Sequence, residues 1–117
     1  MRHKKGNAKL GLPTDQRIAL LKSLTKSLIQ YKKIETTDVR AKQLKRFIEP
    51  LITIAKNDTV HARRKVFSVL QDKSLIKELF QNVVKPFMST NGGYVTVKKK
   101  GRRRGDNALM SLVQFSS

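Results

Sequence analysis

The chain has 117 residues, no cysteine and a formal net charge of +18, from 26 lysines and arginines against 8 aspartates and glutamates. That length suits one domain with a modest core, and the lack of cysteine excludes disulfides, thiolate metal sites and thiol chemistry. The charge far exceeds the roughly 2–8 units that solubility asks of a small domain, and such an excess opposes folding unless a polyanion neutralises it.

Nucleic acid is the natural polyanion, ahead of an anionic membrane surface. No window approaches the roughly 20 apolar residues of a membrane span. Gly6-Asn7-Ala8-Lys9-Leu10 is no apolar signal core. A reducing aqueous compartment, the cytoplasm, is expected.

Residues 1–12 carry Arg2, Lys4, Lys5 and Lys9 with no acid. They bury too little to order themselves and are expected to form an extended, polyanion-binding arm, with 13–117 as a single folded domain. Pro13-Thr14-Asp15 then starts a helix, with Thr14 as N-cap and Asp15 suited to the dipole. Ile18, Leu21, Leu24, Leu28 and Tyr31 recur every three to four residues as one apolar stripe. Lys22, Lys26, Gln30 and Lys33 form a second, largely cationic stripe.

Ile34-Glu35-Thr36-Thr37 is a short strand, and Thr37-Asp38 caps the next helix. Leu44, Phe47, Ile48, Leu51, Ile52 and Ala55 repeat at 3.6 residues through Pro50 without a phase jump, which predicts one kinked or tightened helix rather than two. Its cations are Arg40, Lys42, Lys45, Arg46 and Lys56. After the break at Asn57-Asp58-Thr59, a helix is expected from Val60 to Leu70. Ala62, Val66, Val69 and Leu70 turn inward, and Arg63, Arg64 and Lys65 mostly outward. Asp72 caps a last helix with Leu75, Ile76, Leu79, Phe80, Val83 and Val84 as its buried face, and Pro86 ends it.

Asn91-Gly92-Gly93 is turn chemistry. Tyr94 to Val97 has strand composition, and Ala108 to Phe115 reads as a partner strand. Between them lie Lys98, Lys99, Lys100, Arg102, Arg103 and Arg104, broken only by Gly101. No core can take that run, because each unpaired buried charge costs several kcal/mol or more. It is expected to be an outward loop held between two paired strands.

Catalysis has little to build on. His3 and His61 have no ligand or triad spacing, and the acids are scattered. Gly101-Arg102-Arg103-Arg104-Gly105-Asp106 lacks the ending and following helix of a P-loop. No cofactor and no metal site are expected. Aromatics are 6% of the chain and mostly core-periodic, with Tyr94 alone near the basic run, so a base-stacking single-strand binder is disfavoured. What remains is recognition of backbone and shape, on a folded RNA or by an architectural DNA-binding protein.

Several short stretches, in order, resemble one family: Met1-Arg2-His3, Lys9-Leu10-Gly11, Arg17-Ile18-Ala19-Leu20-Leu21, Ile34-Glu35-Thr36-Thr37 with Arg40-Ala41-Lys42, Asn91-Gly92-Gly93-Tyr94 and Arg103-Arg104-Gly105-Asp106. Together they resemble the bacterial-type large-subunit ribosomal protein seventeen family over essentially the whole chain. The chain departs from the family pattern at Leu12, Gln16, Ser23 and Pro50.

The resemblance implies a two-layer α/β fold of order α-β-α-α-α-β-β, a small three-stranded sheet packed against helices behind the basic arm. It also implies a structural, non-catalytic role in the large ribosomal subunit. The partners would be ribosomal RNA and neighbouring ribosomal proteins, in the cytoplasm or in an organellar ribosome. The RNA contacts it implies are Arg2, His3, Lys4, Lys5 and Lys9 in the arm, the corner of Thr36, Thr37, Arg40 and Lys42, and Arg102, Arg103 and Arg104. Charge adds Arg17, Lys22, Lys26, Arg63, Arg64, Lys98, Lys99 and Lys100. A small architectural DNA-binding protein is the alternative, without the apolar wedge expected of one. A peripheral membrane protein would need exposed apolar helix faces that here read as core.

Overall fold

A computed structural model of the chain describes residues 13–116. The predicted arm at 1–12, with Arg2, His3, Lys4, Lys5 and Lys9, lies outside them. The elements run α1 (Thr14–Tyr31), β1 (Lys33–Thr37), α2 (Asp38–Ala55), α3 (Val60–Leu70), α4 (Lys73–Glu78), β2 (Val95–Arg102) and β3 (Leu109–Phe115). A π-helical turn, Leu79–Val83, continues α4, and a 3-10 turn, Lys85–Phe87, contains Pro86. The expected α-β-α-α-α-β-β order is the observed one.

The N-cap of α1 is Pro13, not Thr14. The Arg17 amide bonds the Pro13 carbonyl at 2.8 Å, and Thr14 already lies inside the first turn with no side-chain cap. Proline's fixed φ suits it to a helix entry. The apolar stripe also differs from expectation. Leu21, Thr25, Leu28 and Ile29 are buried, whereas Ile18 is 40% and Tyr31 64% exposed. Both ends of α1 overhang the core. Thr25 sits in the stripe because its hydroxyl donates to the Leu21 carbonyl at 2.8 Å, which satisfies it without water.

At the end of α1, Lys32 takes the left-handed conformation, φ 70°, usually left to glycine. Its ammonium donates to the Ile29 carbonyl at 2.7 Å and to Glu78 Oε2 at 2.5 Å, tying the turn to α4. Thr59 caps α3 through Ala62 N–H, and Asp72 caps α4 through the amides of Ser74 and Leu75, as their positions before apolar runs predict.

The sheet has the order β1-β3-β2, with both pairs antiparallel. Helix α2 crosses one face of it and touches all three strands as well as α1 and α3. Its Ala41, Leu44, Ile48, Leu51, Ile52 and Ala55 are buried. Full burial of one such aliphatic side chain is worth about 1.5–3 kcal/mol, so this helix is the keel of the core. Pro50 is inside α2, which remains one helix. Pro50 has no amide hydrogen to give the Arg46 carbonyl, and since Pro50 and Arg46 are both exposed the missing bond falls on the outer side of the helix. In the π-helical turn the Val84 amide bonds the Leu79 carbonyl at 3.1 Å. The widened turn helps bring Leu79, Phe80, Val83 and Val84 into the core together.

The third difference concerns the basic run. Strand β2 does not stop at Val97 but continues through Lys98, Lys99, Lys100 and Gly101 to Arg102. Pairing with β3 supplies the backbone hydrogen bonds, so these side chains need no core to stand on. The loop shrinks to a turn between Arg102 and Leu109. Lys99 pairs Ser111 while Gly101 pairs Met110, so Lys100 is the extra residue of a β-bulge, with Gly101 at φ 116°.

Candidate nucleic-acid interface

The turn of the hairpin is folded by its own charges. The Arg103 guanidinium grips Asp106 with two bonds, Nε to Oδ1 at 3.1 Å and Nη2 to Oδ2 at 2.6 Å. Asp106 Oδ1 also accepts the Ala108 amide at 3.2 Å, and Arg102 Nη1 donates to the Asn107 carbonyl at 3.1 Å. Arg103, first, and the Ala108 amide, second, hold the Asp106 carboxyl down to about 2. Arg104 stays at the tip with no acid partner among the described residues.

Along β2 the cross-strand rows sort the lysines. Glu35, Leu112 and Lys98 share one row, and Thr36, Ser111 and Lys99 the next, on the opposite face. The second row faces α2, since the buried Ser111 hydroxyl bonds Asp38 Oδ1 at 2.7 Å. Lys99 therefore stands over the first turns of α2, while Lys100 pairs with Glu35 at 3.2 Å on the other side.

The corner after β1 is only partly outward. Arg40 is half-buried and Lys42 exposed, with Lys42 paired to Asp38 at 3.0 Å. Thr37 is half-buried. Thr36 is buried between sheet and helix and presents no outward side chain. The Ser111 hydroxyl, first, and Lys42 next hold the Asp38 carboxyl below its ordinary value.

On α1, Arg17, Lys22 and Lys26 are all half-buried, and Arg17 Nη1 is enclosed without a hydrogen-bond partner among the described residues. On α3, Arg63 pairs with Asp58 at 2.7 Å and lies 5.0 Å from the Phe80 ring centre. Arg64 beside it is exposed. The neighbours of α3 are α1, α2 and α4 rather than the sheet, so Arg63 and Arg64 stand apart from the hairpin. The fold thus brings Lys99 of β2 to the corner at Lys42, keeps Lys98 and Lys100 on the other face of the sheet, and leaves the α3 cations as a separate patch.

Tyr94 is no stacking platform. It is 2% exposed, edge-on to Phe87 at 5.3 Å, and its hydroxyl is bonded to Thr53 Oγ1 and Lys56 Nζ at 3.3 and 3.2 Å. Lys45 and Arg46, by contrast, were not among the candidate contacts yet share a cleft with Lys42 and Lys99. The signal was the spacing of 42, 45 and 46, one face of a helix.

Every one of the eight acids has a partner. Glu35, Asp38, Asp58, Glu78 and Asp106 are in ion pairs. Asp15, Glu49 and Asp72 accept backbone amides. With the acids so committed, most of the 26 lysines and arginines have no acid left to pair with. Among the described residues no cluster of His, Asp or Glu could hold a metal ion, and no helix is long and apolar enough to cross a membrane.

The chain is thus a small mixed α/β protein, a sheet-backed helical core with a run of exposed cations along one hairpin. The family model for ribosomal protein L17 matches residues 20–116. The large ribosomal subunit protein bL17 of Clostridium beijerinckii is 47% identical over 110 residues, 94% of this chain and 97% of its own length. That of Dictyoglomus turgidum is 46% identical over 115 residues, 98% of this chain and 99% of its own. That of Nitratidesulfovibrio vulgaris is 43% identical over 117 residues, 99% of this chain and 88% of its own. The chain belongs to the ribosomal protein L17 family.

Proposed function

We propose that the chain is a structural component of the large ribosomal subunit, in the cytoplasm, which binds ribosomal RNA through backbone phosphates and performs no catalytic step. The observation that carries this reading is the hairpin. A two-stranded ribbon holding Lys98, Lys99, Lys100, Arg102, Arg103 and Arg104 outside the core is of no use to the free protein, whose acids are too few to neutralise it. Each phosphate contact releases counterions, so affinity falls with salt, by a log–log slope of about −0.7 to −0.9 per contact. Arginine forks grip phosphate oxygens in pairs, and lysines act as point charges. Residues 1–12 add Arg2, Lys4, Lys5 and Lys9 as an arm ahead of the domain at 13–117. Neighbouring large-subunit proteins are the remaining partners.

Sedimentation of a cell extract through sucrose at moderate salt tests this. The tagged chain is expected to travel with large subunits and to leave them as salt is raised. Migration with the nucleoid would favour an architectural DNA role, and recovery with membranes a peripheral one; either result overturns the assignment.

A further inference from the structure

The cleft between α2 and β2 joins residues that lie more than fifty positions apart in the chain. It encloses about 420 Å³ and is lined by Lys42, Lys45, Arg46, Lys99, Gln43 and Asp38, with Val97 at its back. We propose that this cleft holds a backbone phosphate of folded RNA, with Lys45, Arg46 and Lys99 as its ligands. The proposal rests on the RNA-binding reading above and gives it a site that depends on the tertiary fold.

Three observations carry it. The one acid in the cleft does not oppose an anion from outside, because Asp38 is 7% exposed, bonded to Ser111 and neutralised by Lys42. Lys45, Arg46 and Lys99 have no acid partner among the described residues, although they converge from a helix and a strand on one concavity. Three like charges brought together repel one another, and a phosphate between them reverses the sign of that interaction. The donor set also matches the ligand: a planar guanidinium fork for two phosphate oxygens, two ammonium groups, and the Gln43 amide at the rim. The Asp38–Ser111 bond ties the start of α2, one wall of the cleft, to β3.

The test uses the full chain and a transcript of large-subunit ribosomal RNA, with affinity measured across a salt series for K45A/R46A, for K99A and for R102A/R103A/R104A. The cleft variants are expected to melt with the parent, to bind roughly tenfold or more weakly at low salt, and to lose about one unit of salt slope per cation removed. Amide shifts with inorganic phosphate alone separate an RNA site from a general anion site. The proposal expects shifts at 45, 46 and 99 only at concentrations far above those of the RNA. Parental affinity and slope in K45A/R46A and K99A, with both reduced in R102A/R103A/R104A, would overturn the cleft and leave the RNA-binding reading standing. Parental binding by all three would overturn both.

Discussion

Ser111, in the middle of β3, donates a hydrogen bond of 2.7 Å to Asp38, the first residue of α2, and both residues are buried. The bond spans 73 positions of sequence and pins the start of the central helix to the central strand. A buried polar group that loses its partner costs about 1–3 kcal/mol. Ser111→Ala is therefore expected to destabilise the fold by about that amount, read as a lower urea midpoint at unchanged slope. The same variant should change the acid limb of stability. The folded Asp38 carboxyl titrates below its ordinary 3.8, so its contribution is present above pH 3.8 and is lost as pH falls through the folded value. Without the hydroxyl that value rises toward 3.8, so this carboxyl has less stability to lose on acidification, and the stability of Ser111→Ala should depend less on pH below 3.8 than the parent's does.

Pro50 stands on the wet side of α2, where a residue with an amide hydrogen could bond the Arg46 carbonyl. A proline inside a helix costs about 3 kcal/mol relative to alanine. Pro50→Ala is expected to raise the melting temperature, by up to that amount in stability, with no effect on RNA affinity. An unchanged melting temperature would show that the helix has already relaxed around the ring.

The three arginines at the hairpin end are exposed and no core residue leans on them. Replacing Arg102, Arg103 and Arg104 by alanine should leave the melting curve of the helical core in place. RNA association should weaken, and the salt slope should shrink by about two to three units. Parental affinity and slope would remove the turn from the binding surface.

Asp106 offers a local pH reporter. Its carboxyl is held to about 2 by Arg103 and the Ala108 amide. The order it gives the turn is present above the ordinary 3.8 and disappears as pH falls through about 2. A carboxyl carbon NMR titration should show that midpoint in the parent and a return toward 3.8 in Arg103→Ala. Equal midpoints in the two proteins would mean that the fork is not formed in solution.

Much of this was legible in the sequence, and the exceptions have physical causes. Val60–Leu70 matches its helix to the residue, because a capping threonine precedes it and inward apolar positions recur through it. Leu44 to Ala55 reads through Pro50 because periodicity reports the buried face, and the proline sits on the other one. The strand character of Lys98 to Arg102 was hidden for the opposite reason. A ribbon that projects beyond the core wets both faces, so the apolar alternation that marks a strand is absent, and only the partner β3 shows that the backbone is paired. Thr25 escaped the stripe because its hydroxyl is satisfied locally, which composition does not reveal. Lys45 and Arg46 looked like ordinary helix cations until the fold carried Lys99 across to meet them.

The bulge at Lys100 has a consequence for how the ribbon is used. The unpaired residue resets the alternation, so Arg102, opposite Leu109, returns to the side of Lys99, while Lys98 and Lys100 point the other way. The four cations of the strand are thereby divided evenly between its two sides, where an unbroken alternation would put Lys98, Lys100 and Arg102 together and leave Lys99 alone.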